Sequence, residues 1–193
     1  MDNGSDKPRT GSAVAPRILI VMGVSGSGKS TIGAILARRL HWDFEDADWF
    51  HPPANVEKMH RSIPLTDEDR WPWLNAIAAW IDEARSGDEH AVIACSALKR
   101  RYRDILIGNR ADVRLVYLKA NEPLLSRRLA TRHEHFMPAS LLHSQFEALE
   151  EPEADENAIV VSVEPSPKAI ADRILSALKI AEPAVDQRGS ASG

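Results

Sequence analysis

The sequence predicts an α/β fold: a parallel five-stranded sheet flanked by helices in three layers. Two observations carry this expectation. Five short apolar runs of strand length alternate with longer stretches whose apolar residues recur at helical spacing, as parallel strands joined by crossover helices require. The first of these runs, Ile18 to Met22, also passes through a glycine-rich turn straight into the first helical stretch. A length of 193 residues suits one domain, 44% apolar residues suffice for a substantial core, and no internal repeat or second domain is visible.

Each element has its own signal. Met1–Pro16, rich in Gly, Ser, Asp, Lys and Pro, reads as a disordered lead, so the folded domain is expected over 17–180. Arg17–Met22 is a continuous apolar run, the mark of a strand buried on both faces. Lys29–Leu40 follows as a helix with Ile32, Ile35, Leu36 and Leu40 on one face and Arg38 and Arg39 facing out. Trp42–Ala47 is expected as the second strand, running into a loop broken by Pro52 and Pro53. Asn55–Arg61 reads as a short helix capped by Asn55. Thr66 and Asp69 form a loose capping box for a helix running to about Ser86 and ended by Gly87, with Trp73, Leu74, Ile77, Trp80, Ile81 and Ala84 on its stripe. Ala91–Cys95 is the third strand, Ser96 opens a helix lasting to about Ile107, and Val113–Lys119 is the fourth strand. Pro123–Thr131 and Ala139–Leu149 are helices on either side of the polar, basic stretch Arg132–Pro138. After an acidic loop at Glu150–Glu156, Ala158–Val163 is the last strand and Ser166–Ile180 the last helix, and 181–193 has tail composition.

The glycine-rich turn carries the chemistry. Gly23 to Ser30 reads G-x-x-x-x-G-K-S, the phosphate-binding P-loop pattern, and it sits between a strand and a helix as that pattern demands. Glycines let main-chain N–H groups approach a phosphate, and the following helix aims its positive end at the same spot. A triphosphate site is therefore expected at Gly23, Ser25, Gly26, Ser27, Gly28, Lys29, Ser30 and Thr31, with Lys29 at the β- and γ-phosphates and the Ser30 hydroxyl at Mg²⁺. Ligands of such sheets gather at the carboxyl ends of the strands, which adds Asp46 and Asp48 after the second strand and Ser96 and Lys99 after the third.

Other readings are weaker. No guanine-reading N-K-x-D stretch occurs, and neither apolar strand after the second ends in the acid that a motor ATPase uses to hold Mg²⁺. Asp46 and Asp48 instead suit transfer to a small acceptor: one carboxylate supports Mg²⁺ through water, and the other orients the acceptor hydroxyl and takes its proton. Arg127 to Phe136 has the makeup of a basic lid, expected over about 127–138, that would close over the nucleotide and exclude water. A net charge of −4 argues against nucleic acid; Lys99, Arg100, Arg101 and Arg103 read as a solvated face with one or two cleft residues. His133, His135 and Cys95 lack paired zinc-ligand spacing, and Cys95, the one cysteine, reads as a small buried strand residue. Trp73 and Trp80 read as core. With no apolar run long enough to span a bilayer and no apolar leader before Ile18, no membrane association is expected and a cytoplasmic location is.

Several further stretches make the sequence closely similar to the gluconokinases of the thermoresistant type, which are related to shikimate kinases and nucleoside monophosphate kinases. They are Asp46-Ala-Asp48-Trp-Phe-His51-Pro52, Pro64-Leu-Thr-Asp-Glu-Asp69-Arg70, Cys95-Ser-Ala-Leu-Lys99-x-x-Tyr102-Arg103-Asp104, Arg128-Leu-x-x-Arg132-x-x-His135-Phe136 and Ser144-Gln145-Phe146. The resemblance spans about Arg17 to Ile180. It implies transfer of the γ-phosphate of ATP to D-gluconate, with Mg²⁺. It places Asp48 at the acceptor hydroxyl and Asp46 nearer the metal, and makes His51, Arg70, Ser96 and Lys99 candidates for the sugar-acid hydroxyls and carboxylate. It further places Arg128 beside the adenine or phosphates and Arg132 on the phosphates from the lid, and implies a homodimer. Gluconate is an anion, so its pocket needs a cation such as Arg70. Three bland alternatives stand beside these roles: Asp46 as a solvated loop acid, His51 as a turn cap and Arg70 as a first-turn surface charge. A kinase for another small acid or a nucleoside monophosphate, and a non-catalytic ATP-binding module, are the competing functions.

Overall fold

A computed structural model describes residues 14–61, 63–130 and 139–180. Its five strands are β1 (Ile18–Met22), β2 (Asp43–Asp46), β3 (Ala91–Ala94), β4 (Val113–Lys119) and β5 (Ile159–Ser162), all parallel in the order β2-β3-β1-β4-β5. The helices are α1 (Lys29–Leu40), α2 (Pro53–His60), α3 (Asp67–Ser86), α4 (Arg100–Ile107), α5 (Glu122–Ala130), α6 (Ala139–Ala148) and α7 (Pro167–Leu178). The expected three-layer α/β architecture is what forms. β1 lies at the centre and all five of its residues are buried, because helices cover both faces and no position can be polar. Leu19 and Val21 pack toward α1 and α7, while Ile18, Ile20 and Met22 pack toward α3 and α4.

A third, smaller apolar cluster sits over the carboxyl end of the sheet. Val24, just after β1, meets Leu98, Leu125 of α5 and Leu142 of α6 there, with Phe146 and Leu149 against them. This cluster attaches α5 and α6 to the glycine-rich loop. Among the described residues, no helix is long and apolar enough to cross a membrane.

Local chemistry explains where the elements begin and end. Thr66 and Asp69 form the full reciprocal capping box, and Gly87 ends α3 as its spacing predicts. Three expectations need correction. Asn55 does not cap α2; Pro52 holds that position, and Asn55 is buried one turn in, where its Nδ2 donates to the Asp69 carbonyl at 2.7 Å. Ser96 does not open a helix; α4 starts at Arg100, because Ala97 turns left-handed (φ 41°) and the Arg103 guanidinium draws the Ala97 and Leu98 carbonyls to itself. Arg39 does not face out, since it reaches back to Asp172 and ties α1 to α7.

In the basic run at 99–103, Arg101 is exposed and Arg100 partly so, as a solvated face expects, but each is ion-paired and Arg103 is buried. Arg103 is 1% exposed and makes a two-pronged ion pair with Glu156 (2.5 and 2.8 Å) while also bonding the Glu150 carbonyl at 2.9 Å. Arg100 pairs with Glu153 and Asp155, and Lys99 and Arg101 pair with Asp67. Trp73 is core as expected, and Trp80 is half-buried against the same cluster.

Candidate active site

The glycine-rich loop leaves β1 at Gly23, where φ is 149° and a Cβ would stand 2.8 Å from Ser27 Oγ and 3.0 Å from the Leu118 carbonyl. Only glycine allows that close a turn. Gly28, left-handed at φ 96°, then delivers the chain into the first turn of α1, so the loop N–H groups and the helix N-terminus converge. Ser27 Oγ is buried beneath this turn without a hydrogen-bond partner among the described residues. Lys29 folds back over the loop, its Nζ donating to the Val24 carbonyl at 3.3 Å. Burial lowers its pKa, opposed by the nearby Asp48 carboxylate.

β2 carries two carboxylates to this loop. Asp46 accepts from Ser30 Oγ at 2.7 Å through one oxygen and from the Asp48 main-chain N–H at 3.2 Å through the other. It thereby caps the single 3₁₀ turn Ala47–Phe50 and fixes Asp48 beside Lys29. Asp48 keeps exposed surface, yet the protein around its carboxyl partly desolvates it, and this with the adjacent Asp46 charge raises its pKa, Lys29 opposing. The Ser30 hydroxyl and the Asp46 carboxylate are adjacent hard oxygen donors, so they fit Mg²⁺, which keeps most of its ligands as water.

A cavity of about 300 Å³ opens on the other side of the loop, lined by Gly26, Gly28, Thr31, Arg128, Val163 and Pro165. Arg128 of α5 is held there by its Nη2, which donates to the Val163 carbonyl at 2.7 Å. Arg132 and the 131–138 part of the expected lid lie outside the described residues.

The side chains expected at the acceptor lie on the 3₁₀ turn, α2, α3 and the segment entering α4. His51 stacks flat on Trp73, with ring centroids 4.5 Å apart and planes 7° from parallel. Burial, with the Arg70 charge adding to it, lowers its pKa to about 4, so the imidazole is neutral near pH 7. The Asn55 amide is fixed by its bond to the Asp69 carbonyl, and the atom that faces His51 Nδ1 at 3.4 Å is its donor nitrogen. That contact makes Nδ1 the acceptor and leaves the proton on Nε2. Arg70 has no ion-pair partner among the described residues; its Nη1 lies 3.5 Å from the Tyr102 hydroxyl. Lys99, by contrast, is spent on Asp67 at 3.0 Å, and Asp67 also takes Arg101 and the Tyr102 hydroxyl, which holds its carboxyl below the usual range. Ser96 follows the end of β3, half-buried beside the buried Cys95, whose thiol burial pushes up to about 12. Asp67, Tyr102 and Gln145 were given no role by sequence reasoning. Gln145 had a signal: it is one amide on the apolar face of Leu142, Phe146 and Leu149.

Known proteins are similar to this chain in sequence and fold. The family model for shikimate kinase matches residues 25–179. A gluconokinase from Gluconobacter oxydans is 46% identical over 166 residues, covering 86% of this chain and 93% of that one. The thermoresistant gluconokinase of Escherichia coli is 42% identical over 144 residues, or 75% of this chain and 82% of that one. Among solved structures, a gluconokinase from Sinorhizobium meliloti superposes with a TM-score of 0.77 at 42% identity, covering 86% of this chain and 93% of its own. Identity at this level along most of both chains, on a P-loop kinase fold, means that the chain belongs to the gluconokinases, within the shikimate-kinase-like P-loop kinase family.

Proposed function

We propose that the chain transfers the γ-phosphate of ATP to the 6-hydroxyl of D-gluconate, giving ADP and 6-phospho-D-gluconate. The observation that carries this reading is the link from phosphate loop to acceptor: Ser30 to Asp46 to the main chain of Asp48, with Asp48 beside Lys29. The gluconokinase relatives supply the identity of the acceptor.

In this reading the loop N–H groups and Lys29 bind the triphosphate, and the cavity beside Arg128 takes the nucleoside. Asp48 accepts the proton of the gluconate O6 hydroxyl as the O6–P bond forms and the bond from phosphorus to the β–γ bridging oxygen breaks. Lys29 follows the charge that moves to the leaving group. Ser30 and Asp46 would hold Mg²⁺, which would supply positive charge against the triphosphate. Arg70, which has no ion-pair partner among the described residues, grips the gluconate carboxylate, and the His51 Nε2–H donates to a sugar-acid hydroxyl. Ser96 and Lys99 are the remaining candidates for the sugar-acid hydroxyls. The enzyme is further proposed to be a cytoplasmic homodimer, for which light scattering should give twice the 21.3 kDa chain mass.

The test is purified protein with Mg²⁺ and ATP, ADP release being followed with D-gluconate, shikimate and CMP in turn. Gluconate-dependent release well above the other two is expected. Preference for shikimate or CMP would replace the acceptor, and ATP binding without acceptor-dependent turnover would leave a nucleotide-binding module.

A further inference from the structure

α6 turns one face to the phosphate loop. Leu142, Phe146 and Leu149, at helical spacing, pack there with Val24, Leu98 and Leu125. Gln145 shares that face, and an amide among apolar neighbours is costly unless it is bonded. Both of its partners belong to one residue, 120 positions away. The Ser25 main-chain N–H donates to Gln145 Oε1 at 2.7 Å, and Gln145 Nε2 donates to Ser25 Oγ at 3.3 Å. A main-chain N–H can only donate, so the shorter bond also fixes which way the amide points.

The Ser25 N–H belongs to the same peptide plane as the Val24 carbonyl. That carbonyl is the acceptor for Lys29 Nζ at 3.3 Å and for the Ser27 N–H at 3.2 Å. The plane is thus held from both sides, by Lys29 and Ser27 at its oxygen and by Gln145 at its nitrogen. Rotating it would release all three bonds.

We propose that Gln145 is a positioning residue of the nucleotide site: by holding the Ser25 N–H it locks the Val24–Ser25 peptide plane, and so sets Lys29 and the phosphate cradle before the triphosphate arrives. The proposal rests on the reading of this loop as an ATP site. A loop ordered in advance spares ordering cost on binding, so loss of the clamp appears in ATP affinity and not in acceptor affinity.

Gln145→Met keeps the length and apolar contacts of the side chain and removes both bonds. By calorimetry with Mg²⁺ and no acceptor, it should weaken ATP binding roughly 5–30-fold, the scale of two neutral hydrogen bonds. Its gluconate KM should stay within about twofold of wild type, a split that a merely structural helix residue would not produce. Ser25→Ala removes only the longer bond from the loop side, and should weaken ATP binding less. Combined with Gln145→Met, it should add less than the sum of the two single effects. ATP binding unchanged in Gln145→Met, equal rises in the ATP and gluconate constants, or strict additivity of the pair would each overturn the clamp. A wild-type protein that does not bind ATP would overturn the nucleotide reading instead.

Discussion

The nucleotide half and the acceptor half of the cleft are made in different ways. The first is mostly main chain: the loop from Gly23 to Gly28 turns on glycine conformations and aims its N–H groups inward, with Lys29 and Ser30 next in sequence. The second is side chains brought from four elements, with Arg70, Lys99 and Arg101 gathered near Asp67 and Lys58 paired with Asp69 beside them. Asp67 pairs with Lys99 and Arg101, and Arg70 has no ion-pair partner among the described residues, which is why it is the proposed cation for the acceptor. On the proposed function, phosphate recognition is written locally, whereas acceptor recognition is decided by which charges the fold pairs internally and which it leaves over.

The sharpest break in this division should come where the halves meet. Asp48→Asn removes the proton acceptor and leaves the loop intact, so kcat should fall by about 10²–10⁴ while ATP affinity stays near wild type. Normal turnover of the variant in the ADP-release assay would take Asp48 out of the chemistry. Next in size is the scaffold of the acceptor half. Arg103→Leu strands Glu156 in a nearly closed site and frees the carbonyls of Ala97 and Leu98, so stability in urea should drop by about 3–5 kcal/mol. Replacing both partners, Arg103→Met with Glu156→Leu, should recover part of that loss, because no lone charge is left buried. A double variant no better than the single would show that the carbonyl contacts, not the charge, carry the cost.

What the sequence made legible follows the same line. The strand-helix alternation, the all-apolar β1, the Thr66–Asp69 capping box and the Gly87 stop are local signals, and each reappears in the structure. The loop at 23–30 was readable because its function is its backbone. Asn55 misled because its side chain is a good cap in isolation, but tertiary packing buried it to bond the Asp69 carbonyl. Ser96–Lys99 misled because nothing local reveals that Arg103 will claim the carbonyls a helix would need. The charge run at 99–103 was opaque for a related reason: apart from Asp104, one turn on from Arg100, its acidic partners lie 32 to 55 positions away.

Arg70→Leu should have a smaller effect, confined to the acceptor half. If Arg70 is the spare cation, gluconate KM should rise roughly 10–100-fold, the worth of one charged hydrogen-bonded contact, with ATP KM unchanged. Equal loss in both constants would mean that Arg70 shapes the whole cleft and that the two halves are not separable. Lys99→Met should do much less to gluconate KM, since Lys99 already answers to Asp67.

The smallest effect is a pH dependence of stability centred on His51. Its pKa is about 4 in the fold against 6.5 when unperturbed. Between those values the unfolded chain takes up a proton that the folded chain refuses, so stability rises with pH across the window. The contribution is fully present above pH 6.5 and is lost progressively as pH falls toward 4. His51→Gln cannot titrate, so its melting temperature should fall less than wild type on going from pH 6.5 to 4.5, every other acid-sensitive group being common to both. The difference should be modest, because the ring is only half-buried and water screens part of the Arg70 charge. Equal slopes would mean that His51 protonates freely in the fold. The imidazole would then carry charge into the acceptor pocket beside Arg70, and the neutral Nε2–H donor assigned to the sugar acid would have to be given up.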